Sequence, residues 1–193
     1  MAAPVVDAIW LMLPAYVANM LATLVGGGAP VDGGRVWRDG RRVLGDGKTW
    51  RGLLLPPLLT VPIVWLLRLL ADARPLGLAL DGFGPSVWWI AITLALATGA
   101  LLGDMLFSFL KRRRGMPPGS RWLGPDQLDF VLGAWVLGLA VATLLHGMGL
   151  TPENWFLSAW EWTSMLIAAV LTPGLHLAVN FIGFKIGAKE VPW

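Results

Sequence analysis

Five long apolar runs, separated by loops rich in glycine and charged residues, dominate the pattern along the chain. Each run has the roughly 17–25 residues that a helix needs to cross the hydrocarbon core of a bilayer. The runs are Ala8–Val25, Leu53–Leu70, Pro85–Gly103, Phe130–Gly149 and Thr163–Phe184. The pattern therefore predicts an all-α integral membrane protein with five transmembrane helices. We expect residues 1–193 to form a single transmembrane domain.

Composition excludes most other classes. The chain has 193 residues, of which 56% are hydrophobic and only 14% are charged. No soluble domain of this size could bury so much apolar surface. Cysteine is absent, which excludes disulfides and thiolate metal sites. No signal-peptide cleavage pattern stands out, so we expect the first run to remain as a helix.

Basic residues are distributed unevenly between the two sides of the predicted helices. Eleven of the fifteen lie in or beside two loops, residues 26–52 and 108–123, and the C-terminal tail adds Lys185 and Lys189 to the same side. The opposite side carries only Arg68 and Arg74. Positive charge stays in the cytoplasm, so we expect the N-terminus outside, the C-terminus inside and a multi-pass protein of the cell membrane.

The first predicted cytoplasmic loop, Gly26–Gly52, is long and rich in glycine. Glycine backbone can approach a ligand closely, and successive amides can form anion-binding nests. The stretch GDGKT lacks the spacing and the preceding strand of a P-loop, yet Lys48 and Thr49 could still contact a phosphate. The alternative is a charge run that binds lipid headgroups. Three interspersed acids argue against it: Asp32, Asp39 and Asp46.

The end of the third run places polar groups on one helix face. Asp104, Ser108 and Lys111 are spaced i, i+4 and i+7. A carboxylate this close to the membrane needs a partner, because insertion costs about 2.5–3.5 kcal/mol. One interpretation is an Asp104–Lys111 pair that closes the helix end. The other is a metal-binding or metal-orienting carboxylate in an aqueous cavity.

The fourth helix is predicted to begin at Pro125, in the sequence GPDQLDF. Asp126 and Asp129 then share one face of the first turn. Acidic residues favour that turn through the helix dipole, which is the simpler explanation. Two neighbouring carboxylates repel each other, however, and a divalent cation relieves that repulsion. Hard oxygen ligands beside a phosphate are typical of a magnesium site, and the balance of the two explanations favours the metal.

Polar residues inside the predicted membrane helices allow two interpretations. Asn19 lies in the first helix, and Thr172, His176 and Asn180 lie in the fifth. Hydrogen bonds between helices are the default explanation. The less favoured interpretation puts Asn19 and Asn180 near a cavity wall, and His176 as a catalytic base is the least favoured.

Three prolines interrupt the second apolar run: Pro56, Pro57 and Pro62. They predict a bent helix with freed carbonyl groups. Such a bend can open a cavity or a lipid groove, or it can simply reflect packing, and the sequence favours neither.

Several segments resemble one known family. The run LPAYVANM (Leu13–Met20), the loop GGGAPVDGGRVWRDGRRVLGDGKTWRG and the closing HLAVN are similar to archaeal CDP-archaeol synthases. Residues 103–129 more loosely resemble the signature of CDP-diacylglycerol synthases. They depart from it after Lys111–Arg112, where a second Lys-Asp pair is lacking and the glycine-rich stretch is reduced.

The resemblance implies a membrane enzyme with its active site on the cytoplasmic side. Its reaction would be attack of an unsaturated archaeal ether-lipid phosphate on the α-phosphate of CTP, giving a CDP-lipid and pyrophosphate. It implies Mg²⁺ as cofactor. The implied partners are CTP, an isoprenoid ether-lipid phosphate and the bilayer, without nucleic acid; a homodimer is left open.

The resemblance also implies roles for individual residues. The catalytic group would be Asp104, Lys111, Asp126 and Asp129. Metal ligands would be Asp126 and Asp129 with Asp104 and Asp46. The nucleotide would be bound or its pocket shaped by Gly26, Gly27, Gly28, Asp32, Gly33, Asp46, Lys48, Thr49 and Arg112.

Two other classes of protein are alternatives to this enzyme. A phosphotransferase that consumes CDP-lipid carries a long helical motif beginning Asp-Gly, and Asp39–Gly40 is not followed by that motif. A non-enzymatic membrane binder or channel would carry charge through the bilayer, whereas the charge here is concentrated on one side. An assay for release of pyrophosphate from CTP in the presence of lipid phosphate would distinguish these three classes of protein.

Overall fold

The computed structural model describes residues 4–74, 77–117 and 120–185, apart from the side chains of Val179 and Asn180. Its helices are α1 Pro4–Val25, α2 Trp50–Asp72, α3 Trp89–Arg113, α4 Pro125–Gly147, α5 Trp155–Ala159 and α6 Trp162–Lys185. All but α5 are long and apolar enough to cross a membrane. The predicted all-α architecture with five spanning helices is therefore confirmed.

Helix boundaries follow local capping signals rather than the ends of the apolar runs. Helix α2 begins after Thr49, whose hydroxyl accepts a hydrogen bond from the Gly52 N–H at 3.1 Å. Helix α4 begins at Pro125, as predicted. Helix α3 continues beyond the apolar run that ends at Gly103 as far as Arg113, so Asp104, Ser108 and Lys111 lie on this helix, as predicted. The extra turns carry basic residues, which suit the negative end of a helix dipole.

The closest helix contact joins α3 to α4. A Cβ added at Gly99 would overlap the carbonyl oxygen of Gly133, and one added at Gly103 would overlap the carbonyl oxygen of Asp129. Only glycine therefore allows the two backbones to approach this closely. The contact fixes the height of Asp129 relative to Asp104, which follows Gly103 in the chain.

Helix α2 runs unbroken through its three prolines. The hydroxyl of Thr60 donates to the carbonyl of Pro56 at 2.8 Å, which gives that carbonyl a partner inside an apolar helix. The prolines therefore do not divide the second spanning segment.

The end of the bundle remote from the two basic loops is closed by Asp81, a half-buried residue. The Trp155 indole N–H donates to Asp81 Oδ1 at 2.9 Å, and the Trp10 indole N–H donates to the Asp81 carbonyl at 2.8 Å. Burial raises the pKa of Asp81. Arg68 donates to the carbonyl of Gly84 at 3.0 Å. No chemistry was predicted for this loop, and its polar groups serve to join helix ends.

Candidate active site

The glycine-rich segment between α1 and α2 is an ordered loop with two bridges. At its base, the Val31 N–H donates to the Lys48 carbonyl at 2.8 Å and the Trp50 N–H donates to the Ala29 carbonyl at 3.1 Å. Nearer its tip, the Trp37 N–H donates to the Arg41 carbonyl at 2.7 Å. These hydrogen bonds give the glycine-rich loop a defined backbone conformation.

Asp32 organises the interior of the same loop. Its Oδ1 accepts from the Gly34 N–H and Arg42 Nη2, and its Oδ2 accepts from Arg42 Nε and the N–H groups of Leu44 and Gly45, at 2.8–3.2 Å. The guanidinium of Arg42 and these amides hold the pKa of the Asp32 carboxyl well below its usual range. Both oxygens are therefore committed to the loop itself.

A cavity of about 640 Å³ opens at the end of the molecule where the two basic loops lie. Residues of α1, α2, α3, α4 and α6 surround it together with the loop between α1 and α2. Its charged lining residues are Asp46, Lys48, Asp104, Lys111, Arg112, Arg121, Asp126 and Asp129. The three aspartates of α3 and α4 thus meet the basic residues in one cavity.

Two ion pairs cross the cavity. Lys48 from the first loop contacts the carboxylate of Asp104, and Lys111 Nζ lies 2.7 Å from Asp126 Oδ1. The alternative prediction of an Asp104–Lys111 pair is therefore wrong. Although these two residues share a helix face, each finds its partner on another segment, because the loop and the start of α4 fold against that face.

The paired aspartates at the start of α4 have unequal surroundings. Asp126 Oδ2 accepts from the Trp122 N–H at 2.8 Å, so this carboxylate also fixes the segment before the helix. Asp129 lies deeper, with 4% of its surface exposed. It is near enough to Asp104 and Asp126 for their charges to repel its own. Capping of α4 therefore explains part of why an aspartate stands at position 126. It does not explain the aspartate at position 129.

Arg112 is a buried cation of the cavity with unused hydrogen-bond donors. The residue is 6% exposed, and its Nε and Nη1 atoms are buried without a hydrogen-bond partner among the described residues. A buried guanidinium without acceptors is costly. An anion placed in the cavity beside Arg112 would supply those acceptors, and phosphate oxygens match the planar fork of its donors.

The carboxylates allow a test of the expected magnesium site. Within the described residues, no group of three acidic, His or Cys side chains is gathered as a ready-made metal site. Mg²⁺ commonly binds through one or two carboxylates together with phosphate oxygens, and not through an all-protein cage. Asp129 with Asp104 or Asp126 meets that requirement, so the residues fit a magnesium ion that arrives with a phosphate ligand.

The other predicted nucleotide-binding residues divide into two groups. Gly26, Gly27, Asp46 and Thr49 line the cavity, as does Asn19. Three others lie outside the lining: Gly28, Asp32 and Gly33. Asp32 differs most from the expectation, because its oxygens hold the loop in shape instead of facing the cavity. The side chain of Asn180 lies outside the described residues.

Sequence reasoning gave no role to several cavity residues. Gln127 and Arg121 line the wall, and the Gln127 side chain accepts from the Gly124 N–H at 2.6 Å. His176, which the sequence suggested only as the least favoured catalytic base, also lines the cavity and packs on Phe130 with ring centroids 5.8 Å apart. Capping-box spacing before α4 could have identified Gln127. No comparable signal marks Arg121.

Hydrogen bonding between helices is confirmed for one of the intramembrane polar residues. The Tyr16 and Thr172 hydroxyl oxygens lie 2.7 Å apart and join α1 to α6. This bond holds α6 beside the cavity, to which the helix contributes His176 and Leu177.

Comparison with known proteins gives a consistent result. The family model described as CarS-like, CDP-archaeol synthase, matches residues 1–193. The CDP-archaeol synthase of Methanosarcina mazei is 46% identical over 187 residues, covering 94% of this chain and 100% of its own. That of Archaeoglobus fulgidus is 40% identical over 192 residues, covering 98% of each chain.

A solved structure of an intramembrane enzyme for archaeal membrane lipids biosynthesis is also similar. It superposes with a TM-score of 0.69 at 37% identity and covers 91% of this chain and 94% of its own. Family model, relatives and fold agree along nearly the whole chain. The chain therefore belongs to the CDP-archaeol synthase family.

Proposed function

We propose that the protein is a membrane cytidylyltransferase that transfers the cytidylyl group of CTP to an unsaturated archaeal ether-lipid phosphate, giving CDP-archaeol and pyrophosphate. The relatives' shared name supports the product. The observation that carries the proposal is the cavity itself. It combines three aspartates with Lys48, Lys111 and a buried Arg112, whose Nε and Nη1 have no hydrogen-bond acceptor among the described residues.

The reaction asks for positioning more than for acid–base chemistry. An oxygen of the lipid phosphate attacks the α-phosphorus of CTP, and the bond from that phosphorus to the oxygen bridging to the β-phosphate breaks. A phosphate monoester is largely dianionic at neutral pH, because its second pKa is about 6. It can attack without a general base. Holding both phosphates in line and neutralising their charge supplies most of the rate.

The cations of the cavity suit this task. Lys48 and Lys111 reach it from the first loop and from α3, so phosphate groups between them would meet positive charge on two sides. Arg112 adds the bidentate donors that a phosphate group matches. We assign these three side chains to the triphosphate and the lipid phosphate.

The carboxylates would hold magnesium beside the triphosphate. Asp126 and Asp129 are the principal ligands in this proposal, with phosphate oxygens completing the site; Asp104 is the alternative second carboxylate, and Asp46, which pairs with Arg42, would join only on leaving that pair. When bound, Mg²⁺ neutralises charge on the phosphates and on the leaving pyrophosphate. The mutual repulsion of Asp104, Asp126 and Asp129 supports a cation at this position.

The lipid substrate has an apolar approach to the same cavity. Leu53, Leu101, Met105 and Leu177, apolar residues of α2, α3 and α6, line the same cavity. The isoprenoid chains would lie there and extend into the bilayer while the phosphate remains near the cations. Because positive charge favours the cytoplasm, we place this end of the molecule at the cytoplasmic leaflet.

The test is a pyrophosphate-release assay with purified protein, CTP and the unsaturated ether-lipid phosphate in detergent. We expect Mg²⁺-dependent turnover with one pyrophosphate per CDP-lipid. Asp129→Asn and Asp126→Asn should each lower kcat/KM by about 100-fold or more, because each removes a charged ligand. Asp72→Asn is the control, since Asp72 is exposed at the far end of α2.

Wild-type rates in both variants at unchanged Mg²⁺ dependence would refute the metal assignment. Absence of pyrophosphate from the wild-type protein would refute the proposed reaction. Production of CMP from CDP-lipid instead would identify the phosphotransferase alternative.

A further inference from the structure

Outside the cavity, the tip of the first loop is fastened to the end of α3. Arg113 Nη1 lies 2.6 Å from Asp39 Oδ1, and its Nη2 donates to the carbonyl of Arg42 at 2.5 Å. In return, Arg41 Nη1 donates to the carbonyl of Arg113 at 3.1 Å. Residues separated by about seventy positions in the chain are thus joined by reciprocal hydrogen bonds.

An aromatic contact covers the same junction. The rings of Trp37 and Phe109 meet edge to face with centroids 5.5 Å apart. The Arg113 guanidinium lies 5.0 Å from the Phe109 ring centroid and 5.8 Å from that of Trp37. We call this group the clasp; its residues are Trp37, Asp39, Arg41, Phe109 and Arg113.

The clasp contributes none of the described residues that line the cavity. It connects to them through Arg42, whose carbonyl accepts from Arg113 while its side chain pairs with Asp46 and Asp32 at 2.8 Å. Asp46 lies two residues before Lys48, which contacts Asp104 across the cavity. A continuous chain of contacts therefore runs from Arg113 to the loop wall of the site.

From this geometry we infer that Arg113 is a positioning residue, which holds the first loop over the cavity so that Asp46 and Lys48 face the nucleotide phosphates. The planar guanidinium of Arg113 donates to a carboxylate and to backbone carbonyls at the same time. A lysine ammonium cannot reproduce this geometry. The loop's many glycines give it other conformations, so its position depends on the clasp. The kinetic part of this inference rests on the proposed function.

The first test does not depend on activity. Trypsin cuts after arginine, and the loop tip offers sites within residues 35–42. In Arg113→Ala, cleavage within 35–42, located by mass spectrometry, should be about ten-fold faster than in the wild-type protein, because several charge-assisted bonds are lost. Arg113→Lys should lie between the two. Arg38→Ala, which removes an equal charge from an exposed side chain of the same loop, should leave cutting at the remaining sites unchanged.

The second test is steady-state kinetics. Arg113→Ala should raise the KM for CTP about five- to ten-fold while the KM for the lipid phosphate stays within two-fold, because the clasp holds the loop wall and not the apolar wall. Asp39→Asn, on the exposed tip, should raise the same KM more weakly. If Arg113→Ala fails to fold, the KM of Asp39→Asn for CTP tests the inference in its place.

Unchanged cleavage rates together with an unchanged KM for CTP would overturn the inference. So would a fall in melting temperature and kcat with both KM values retained, which is the signature of a merely structural arginine. Failure of the wild-type protein to use CTP would refute the proposed function and leave the proteolysis result to decide whether the clasp holds the loop.

Discussion

Aspartates that look equivalent in the sequence differ in what their oxygens contact. Asp32 accepts five hydrogen bonds from its own loop. Asp104 and Asp126 each face a lysine across the cavity. Asp129 is buried between two like charges. Only the last three line the cavity, where a lysine or a metal ion can reach them.

Asp32 should give the loop a pH-dependent stability. Because its pKa in the folded protein lies below the unfolded value of about 3.9, the ionised carboxylate stabilises the fold fully above roughly pH 4. That contribution is lost as the pH falls further. Asp32→Asn should lower stability by about 2 kcal/mol at pH 7, through loss of charge-assisted hydrogen bonds.

The measurement is the melting temperature in detergent for wild type and variant between pH 7 and pH 3. We expect the difference between them to shrink below about pH 4, as protonation of the unfolded state removes the wild-type advantage. A difference that is constant over this range would contradict the assignment. Asp72→Asn serves as the control, because Asp72 is exposed at the far end of α2, away from this loop.

At the scale of helices, the contact between α3 and α4 sets the geometry of the site. Gly99 and Gly103 on α3 face Gly133 on α4, and no larger side chain fits between the backbones. Membrane helices associate largely through such close packing, since lipid offers no hydrophobic drive. The spacing Gly-x-x-x-Gly at 99–103 is a known sequence signal for it, and it could have predicted this contact.

Gly103→Ala should separate the two helices, because the new methyl group would overlap the carbonyl oxygen of Asp129. We expect a loss of about 1–3 kcal/mol in stability and a larger loss of activity, since Asp104 and Asp129 would move apart. Gly174→Ala in α6 is the matched control, because a Cβ there meets no atom within 4 Å. Equal melting temperatures for the two variants would contradict this packing argument.

At the scale of the whole molecule, charge separates the two ends of the bundle. The cavity end carries the two basic loops, whereas the far end is closed by Asp81 with Trp10 and Trp155. One end is built to bind anions and the other to join helices. The orientation in the membrane remains the sequence-based prediction that the basic end faces the cytoplasm.

This orientation can be tested with single cysteines, because the chain has none of its own. Arg38 and Glu153 are exposed at opposite ends. A membrane-impermeant maleimide added to intact cells should label Glu153→Cys and leave Arg38→Cys unlabelled until the membrane is opened. The reverse pattern would place the cavity outside.

The spanning helices could be predicted from the sequence because their signal is local. The length and hydropathy of each run suffice to predict a helix, because a segment surrounded by lipid must satisfy its own backbone hydrogen bonds. The start of α4 at Pro125 could also be predicted, because the residues that begin a helix lie within a few positions of one another. The short α5 was not predicted, because five residues are too few to show a helical period or to span a membrane.

The sequence alone determined that most of the basic residues, together with six aspartates, lie at one end of a five-helix membrane protein, since charges cannot remain in hydrocarbon. Only the tertiary structure decided which of them meet. Lys48 contacts Asp104, Lys111 pairs with Asp126, and Asp32 is withdrawn into its loop. These pairings depend on distances between segments that are far apart in the chain. The glycine contact of α3 with α4 and the loop's own hydrogen bonds set those distances. No local sequence pattern encodes them.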